Sequence, residues 1–147
     1  MSEVNSRLLK LVSNMGLELM FVDMNKSGMY YAEEKTIFLN NKLLDKNSDF
    51  EISHELGHCI KKHDELTDYY NINEYSRNKL EYEANQIAIQ ILLTIWISEY
   101  DLQKEDLNAV KFMDYYKIPS RLEFCVRETI LNYIKETPLP QRRSNGV

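Results

Sequence analysis

A chain of 147 residues that is 44% apolar and 28% charged has the composition of one globular domain, which excludes a fibrous or wholly disordered chain. Its net charge of −5 argues against a surface built to bind nucleic acid, and its two cysteines, Cys59 and Cys125, are too few for a disulfide framework. No leader-like segment opens the chain, and the most apolar run, residues 87–97, is broken by Gln90 and Thr94 and is too short to span a bilayer, so the expectation is a soluble, cytoplasmic protein without membrane contact.

Residues 4–15 place Leu8, Leu9, Val12 and Met15 at helical spacing, with Gly16 as a stop. Three short apolar runs follow, at 17–22, 29–32 and 36–40, separated by polar turns at 25–28 and 33–35. They predict a small three-stranded antiparallel sheet, whose edge would suit strand addition by an extended peptide. A helix is predicted from Ser48 to His63, with Ser48 and Glu51 as a capping box and Ile52, Leu56, Cys59 and Ile60 as its apolar face. Cys59 reads as a small buried hydrophobe. Lys61, Lys62 and His63 fall in the last turn, where positive charge suits the helix dipole. Gly57 costs about 1 kcal/mol relative to Ala in a helix interior. It makes sense there if another backbone or a metal site passes close by.

After a polar connection at 64–73, a second long helix is predicted from Glu74 to about Ile97, with Ala84, Ala88, Ile91 and Leu92 on one face. Small residues on that face would let it approach the helix at 48–63. Residues 107–116 predict a further helix, and after Pro119 a last one at 121–135, with Ser120 as its cap and Glu123 three positions on. Two helices joined by a tight turn suggest a DNA-binding helix-turn-helix, but Arg121, Arg127 and Lys135 are balanced by Glu123 and Glu128. The pair therefore reads as packed helices. Residues 137–147, with Pro, Arg, Ser and Gly, predict a disordered tail, leaving 1–136 as a single α+β domain: a small sheet on a helical core with further C-terminal helices.

The chemistry is carried by His54-Glu55-Leu56-Gly57-His58, an H-E-x-x-H pattern. Residues four apart on a helix lie one above the other, so His54 and His58 can offer two imidazole nitrogens to one metal ion. Glu55 between them can reach a metal-bound water as general base. A third protein ligand is needed. His63 lies about 140° round the helix from His58 and points elsewhere. Glu81, on the next helix, is the favoured third ligand, with Asn85 one turn further on to receive the other ring nitrogen of a histidine and fix its tautomer. Glu83 is the alternative ligand, about 160° round from Glu81. Tyr69, Tyr70 and Tyr82 stand as oxyanion donors among which the residues do not choose.

HELGH at 54–58, followed by Glu81-Tyr82-Glu83-Ala84-Asn85 leading into an apolar helix, resembles the ImmA/IrrE family of bacterial metallopeptidases. The similarity runs in order over about residues 17–135, most strongly 50–93, and includes 112–119 with Arg121 and Leu122. One departure is Thr94-Ile95, where the family often has Met-Pro at the helix exit. The resemblance implies a gluzincin-like site with two histidines and a glutamate on one zinc ion. It also implies a chain carried by a phage or integrative element, whose partner is a helix-turn-helix repressor encoded beside it, cleaved or otherwise inactivated. A non-catalytic anti-repressor, supported by zinc and acting by binding alone, is the competing expectation. The intact Glu55 argues against it, because a purely structural zinc site needs no acid/base.

Overall fold

Helix α1 (Ser6–Asn14) starts where the Asn5 side chain accepts from the Arg7 and Leu8 backbone N–H groups, and Gly16, at φ 74°, turns the chain out of it. Its Leu8 and Val12 are buried while Leu9 is exposed. This is a computed structural model that describes residues 4–62 and 73–136. His63, Tyr69, Tyr70, most of the polar connection and the tail at 137–147 lie outside the described residues.

Strands β1 (Glu18–Val22), β2 (Gly28–Tyr31) and β3 (Thr36–Asn40) form one sheet in the order β1-β3-β2. β2 and β3 make the predicted antiparallel hairpin, but β1 runs parallel to β3, so the sheet is mixed and the all-antiparallel expectation is corrected. The reason lies in burial. β3 is buried on both faces at Thr36, Ile37, Leu39 and Asn40, which suits a central strand. β1 and β2 have only exposed and half-buried positions, which suits edges.

Helix α2 (Asp49–Ile60) carries the H-E-x-x-H sequence. The expected capping box is absent: Ser48, at φ −106° and ψ 10°, is not extended and makes no side-chain cap. Asn47 Oδ1 accepts from the Asp49 N–H at 2.9 Å instead, and the Asp49 carboxylate accepts from the Asn5 N–H at 3.0 Å. Helix α3 (Glu74–Tyr100) is capped by Asn73, which accepts from the Ser76 N–H, and it runs three residues past its predicted end. Helix α4 (Ala109–Tyr116) is capped by Asn108. The expected helix at 121–135 begins later, because Ser120–Leu122 form a 3-10 turn after Pro119 and α5 spans Glu123–Glu136. No helix among the described residues is long and apolar enough to cross a membrane.

α2 lies between the sheet and α3. Its Ile52 and Leu56 join Leu8, Val12, Ile37 and Leu39 in one core cluster. A second cluster, around Leu92, Phe112, Tyr116 and Val126, ties α3 to α4 and α5. Ile95 belongs to the first cluster, so α3 braces both. Cys125 is buried; Cys59 is half-buried against the first cluster, less enclosed than expected.

α2 and α3 touch at their backbones. A Cβ added at Gly57 would sit 2.6 Å from the Ala84 carbonyl oxygen and 2.8 Å from its Cα, so the glycine is required by close approach. Gly57→Ala is therefore expected to destabilise the protein by about 1–3 kcal/mol through overpacking, although Ala is the better helix former. Chemical denaturation measures this, and a neutral or stabilising result would mean that the helices can separate freely.

Candidate metal centre

His54 and His58 project from the same face of α2, with ring centroids 4.8 Å apart and planes at 89°. Glu81 and Asn85, one turn apart on α3, meet them across the Gly57–Ala84 contact. Glu81 Oε1 lies 2.8 Å from His54 Nε2, and Glu81 Oε2 lies 3.2 Å from His58 Nε2. Asn85 Oδ1 lies 2.7 Å from His54 Nδ1. Both imidazoles are largely buried, at 16% and 12% side-chain exposure, while the Glu81 side chain stays 35% exposed. The ligand atoms of His54, Glu55 and His58 lie within 4.8 Å of one another. That trio includes Glu55, whereas Glu81 contacts both imidazoles directly through its two oxygens.

The hydrogen-bond pattern constrains the charge. With Asn85 Oδ1 accepting, His54 Nδ1 carries the proton, and neutral His54 then turns an Nε2 lone pair toward a carboxylate oxygen 2.8 Å away. Two lone pairs at that distance need positive charge between them, from a proton or from a cation. A proton on Nε2 supplies it whenever the ring is charged. Burial works to lower the His54 pKa, but the Glu81 hydrogen bond, the charges of Glu55 and Glu81 and the Asn85 contact together raise it above its ordinary 6.5. The donor set of two imidazole nitrogens and one carboxylate is that of a catalytic zinc site with a position left open.

Glu55 leans toward the sheet, over Gly28 of β2, while its carboxylate stays within 4.8 Å of the His54 and His58 ligand atoms. It is 7% exposed, and burial pushes its pKa above the usual carboxylate range against the opposing influence of His54 and His58. Glu51, one turn earlier, is likewise pushed up by burial, and its Oε1 is buried without a hydrogen-bond partner.

Glu83 lies two residues beyond Glu81, about 160° round α3, and is half-buried. Tyr82 does not join the imidazole cluster. It is exposed, its hydroxyl accepts from Gln86 Nε2 at 3.3 Å, and with Gln86, Leu93, Cys125 and Tyr133 it lines a cavity of about 310 Å³ between α3 and α5. No α2 residue lines that cavity, so it is separate from the chemistry. Sequence reasoning missed the Tyr30 backbone N–H, which works against burial to lower the Glu55 pKa. A main-chain donor 25 positions away carries no residue-type signal.

Comparison with protein families matches residues 14–120 to the Peptidase_M78 model, described as the IrrE N-terminal-like domain. The span takes in the whole sheet, α2 and α3. Comparison with curated proteins found no match.

The raised His54 pKa carries a stability consequence for the metal-free protein. The folded state holds this proton more tightly than the unfolded chain does, so the contribution is complete below pH 6.5 and is lost as pH rises through the folded pKa. Glu81→Gln removes the main supporting partner and should lower the His54 midpoint, flattening that part of the stability profile. NMR titration of the imidazole, with denaturation across the same pH range, reads both. A midpoint at or below 6.5 in metal-free wild type would refute the assignment.

Proposed function

The chain belongs to the Peptidase_M78 family, and on that premise we propose that it is a zinc-dependent endopeptidase that cleaves, and so inactivates, a helix-turn-helix transcriptional repressor. The observation that carries the reading is the double contact of Glu81, one oxygen on each imidazole of the H-E-x-x-H helix, with Asn85 on the far nitrogen of His54. His54, His58 and Glu81 are the residues that would hold one zinc ion per chain, in the two-histidine, one-glutamate set that leaves a position for water and substrate. Glu83 is set aside as a ligand, since Glu81 occupies the face toward both rings. Zinc, when bound, acidifies its water and polarises the scissile carbonyl.

The protein groups divide the remaining work. Asn85 fixes the ring orientation and tautomer of His54, so that Nε2 is the atom presented. Glu55 is the general base. It follows His54 in sequence, lies within 4.8 Å of the ligand atoms of both histidines and is buried, and its raised pKa brings it toward the working pH, where a base both accepts a proton readily and returns it. Its carboxylate takes a proton from the attacking water and delivers it to the leaving amine.

The repressor as substrate is suggested by the resemblance of the HELGH and E-x-E-A-N segments to a family whose usual target is such a protein. Co-expression with the repressor encoded beside this gene, followed by intact mass measurement, tests both the substrate and the chemistry. Wild type should yield two fragments of that repressor. Glu55→Gln should retain zinc and slow cleavage by about 10²-fold or more. A repressor left whole by both, yet inactivated equally by both, would replace hydrolysis with binding alone.

A further inference from the structure

We propose that the free edge of β2 is the positioning element for Glu55: the Tyr30 backbone N–H anchors the carboxylate, and Gly28 leaves the room its stem requires. The functional meaning rests on the peptidase reading above; the contact itself does not.

The ladder fixes which way the strand's polar groups point. β2 pairs with β3 in the register Gly28↔Leu39, Met29↔Phe38, Tyr30↔Ile37 and Tyr31↔Thr36. Just before this ladder, the Asn40 N–H donates to the Ser27 carbonyl at 2.9 Å, so Ser27–Asn40 is a hydrogen-bonded pair. Bonded and non-bonded pairs alternate along an antiparallel ladder. Met29 and Tyr31 therefore turn their N–H and C=O groups toward β3. Gly28 and Tyr30 turn theirs outward, to the edge on which no further strand pairs among the described residues. The Glu55 stem lies over Gly28 of this strand, and the outward Tyr30 N–H, two residues on, is the backbone donor that favours the charged carboxylate.

Gly28 completes the fit. A Cβ there would lie 3.3 Å from Glu55 Cγ, 3.3 Å from Leu39 Cδ2 and 3.3 Å from the Phe38 carbonyl oxygen. Leu39 and the β3 backbone are fixed by the core and the ladder, so the group that would have to yield is the Glu55 stem. Glu55 thus has a donor at its carboxylate end and room for its stem over Gly28.

Two physical gains follow. A free glutamate side chain loses rotamer entropy on being fixed, and here that loss is taken on folding, before any substrate arrives. An outward edge N–H is also an open invitation to another strand, and Glu55 closes it. A peptide adding to β2 would find the Tyr30 N–H already taken, which narrows the strand addition expected from the sequence.

Amide hydrogen exchange on the full-length, metal-free chain tests the contact without reference to activity. The Tyr30 amide should be protected in wild type and in Glu55→Gln, which keeps an acceptor, and should exchange about tenfold faster or more in Glu55→Ala. The Tyr31 amide, bonded to β3, serves as the control for an intact sheet. Equal Tyr30 exchange in wild type and Glu55→Ala, with Tyr31 unchanged, would overturn the proposal. The positioning role is read from Tyr30→Pro against Tyr30→Ala. Proline removes an N–H that the ladder does not use, alanine removes the same side chain and keeps it, and zinc content is checked in both. On the repressor substrate, Tyr30→Pro should fall about tenfold or more below Tyr30→Ala in kcat at similar KM. Equal kcat values would overturn the role. Should wild type fail to cut the repressor, the peptidase reading fails, and the exchange comparison still decides whether Tyr30 holds Glu55.

Discussion

Gly57 of α2 rests against the backbone of Ala84 on α3, and the distances within the site depend on that contact. Helices with ordinary side chains at their crossing keep their axes about 8–10 Å apart. A glycine facing an alanine backbone takes them to the near limit. The site residues are arranged symmetrically around the contact. His54 and His58 stand three before and one after Gly57, and Glu81 and Asn85 stand three before and one after Ala84. At this separation a short asparagine reaches His54 Nδ1, and one glutamate spans two imidazoles. A side chain at the crossing would move all four groups apart together, which is why a helix-weakening glycine sits in the middle of the motif.

Much of this could be read from local pattern because the site is built from helical periodicity. The spacing of His54 and His58, the one-turn offset of Glu81 and Asn85, and the small residues Ala84 and Ala88 all follow from 3.6 residues per turn. The odd glycine pointed to a close neighbour, and the neighbour is there. Strand order was not legible, since apolar alternation marks a strand without naming its partner. The decisive quantity, burial of β3 on both faces, depends on where α1 and α2 pack. The Ser48 cap failed for a related reason: Asp49 is held by Asn5, which is 44 residues earlier, and the local backbone follows that tie.

That tie belongs to a clasp joining distant parts of the chain. The Asn5 side chain donates to Glu99 at 2.6 Å, and Arg7 donates to the Ser98 hydroxyl, so the start of α1 is fixed to the end of α3. Asp49 sits beneath it. Burial raises its pKa, the Asn5 N–H opposes that, and the charge of Glu99 adds to it. α2 therefore carries three carboxyls, Asp49, Glu51 and Glu55, each pushed up by burial. Such groups lower stability, and their concentration on one helix fits a segment shaped by its chemistry as well as by its packing.

The same carboxyls define what the centre attracts. Glu55 and Glu81 both place negative charge near His54, and two buried imidazoles offer lone pairs with little water to satisfy them. Positive charge between His54 and Glu81 relieves every one of these costs at once. A proton does so for one ring only. A divalent cation satisfies both rings and the carboxylate together, and its advantage grows because the protein has already oriented the donors. Glu55 lies within 4.8 Å of the His54 and His58 ligand atoms and packs toward Gly28 of β2, so it stands as a second carboxylate beside the pair that Glu81 bridges. The two glutamates thus differ in their neighbours: Glu81 meets both imidazoles from α3, and Glu55 lies between α2 and the sheet.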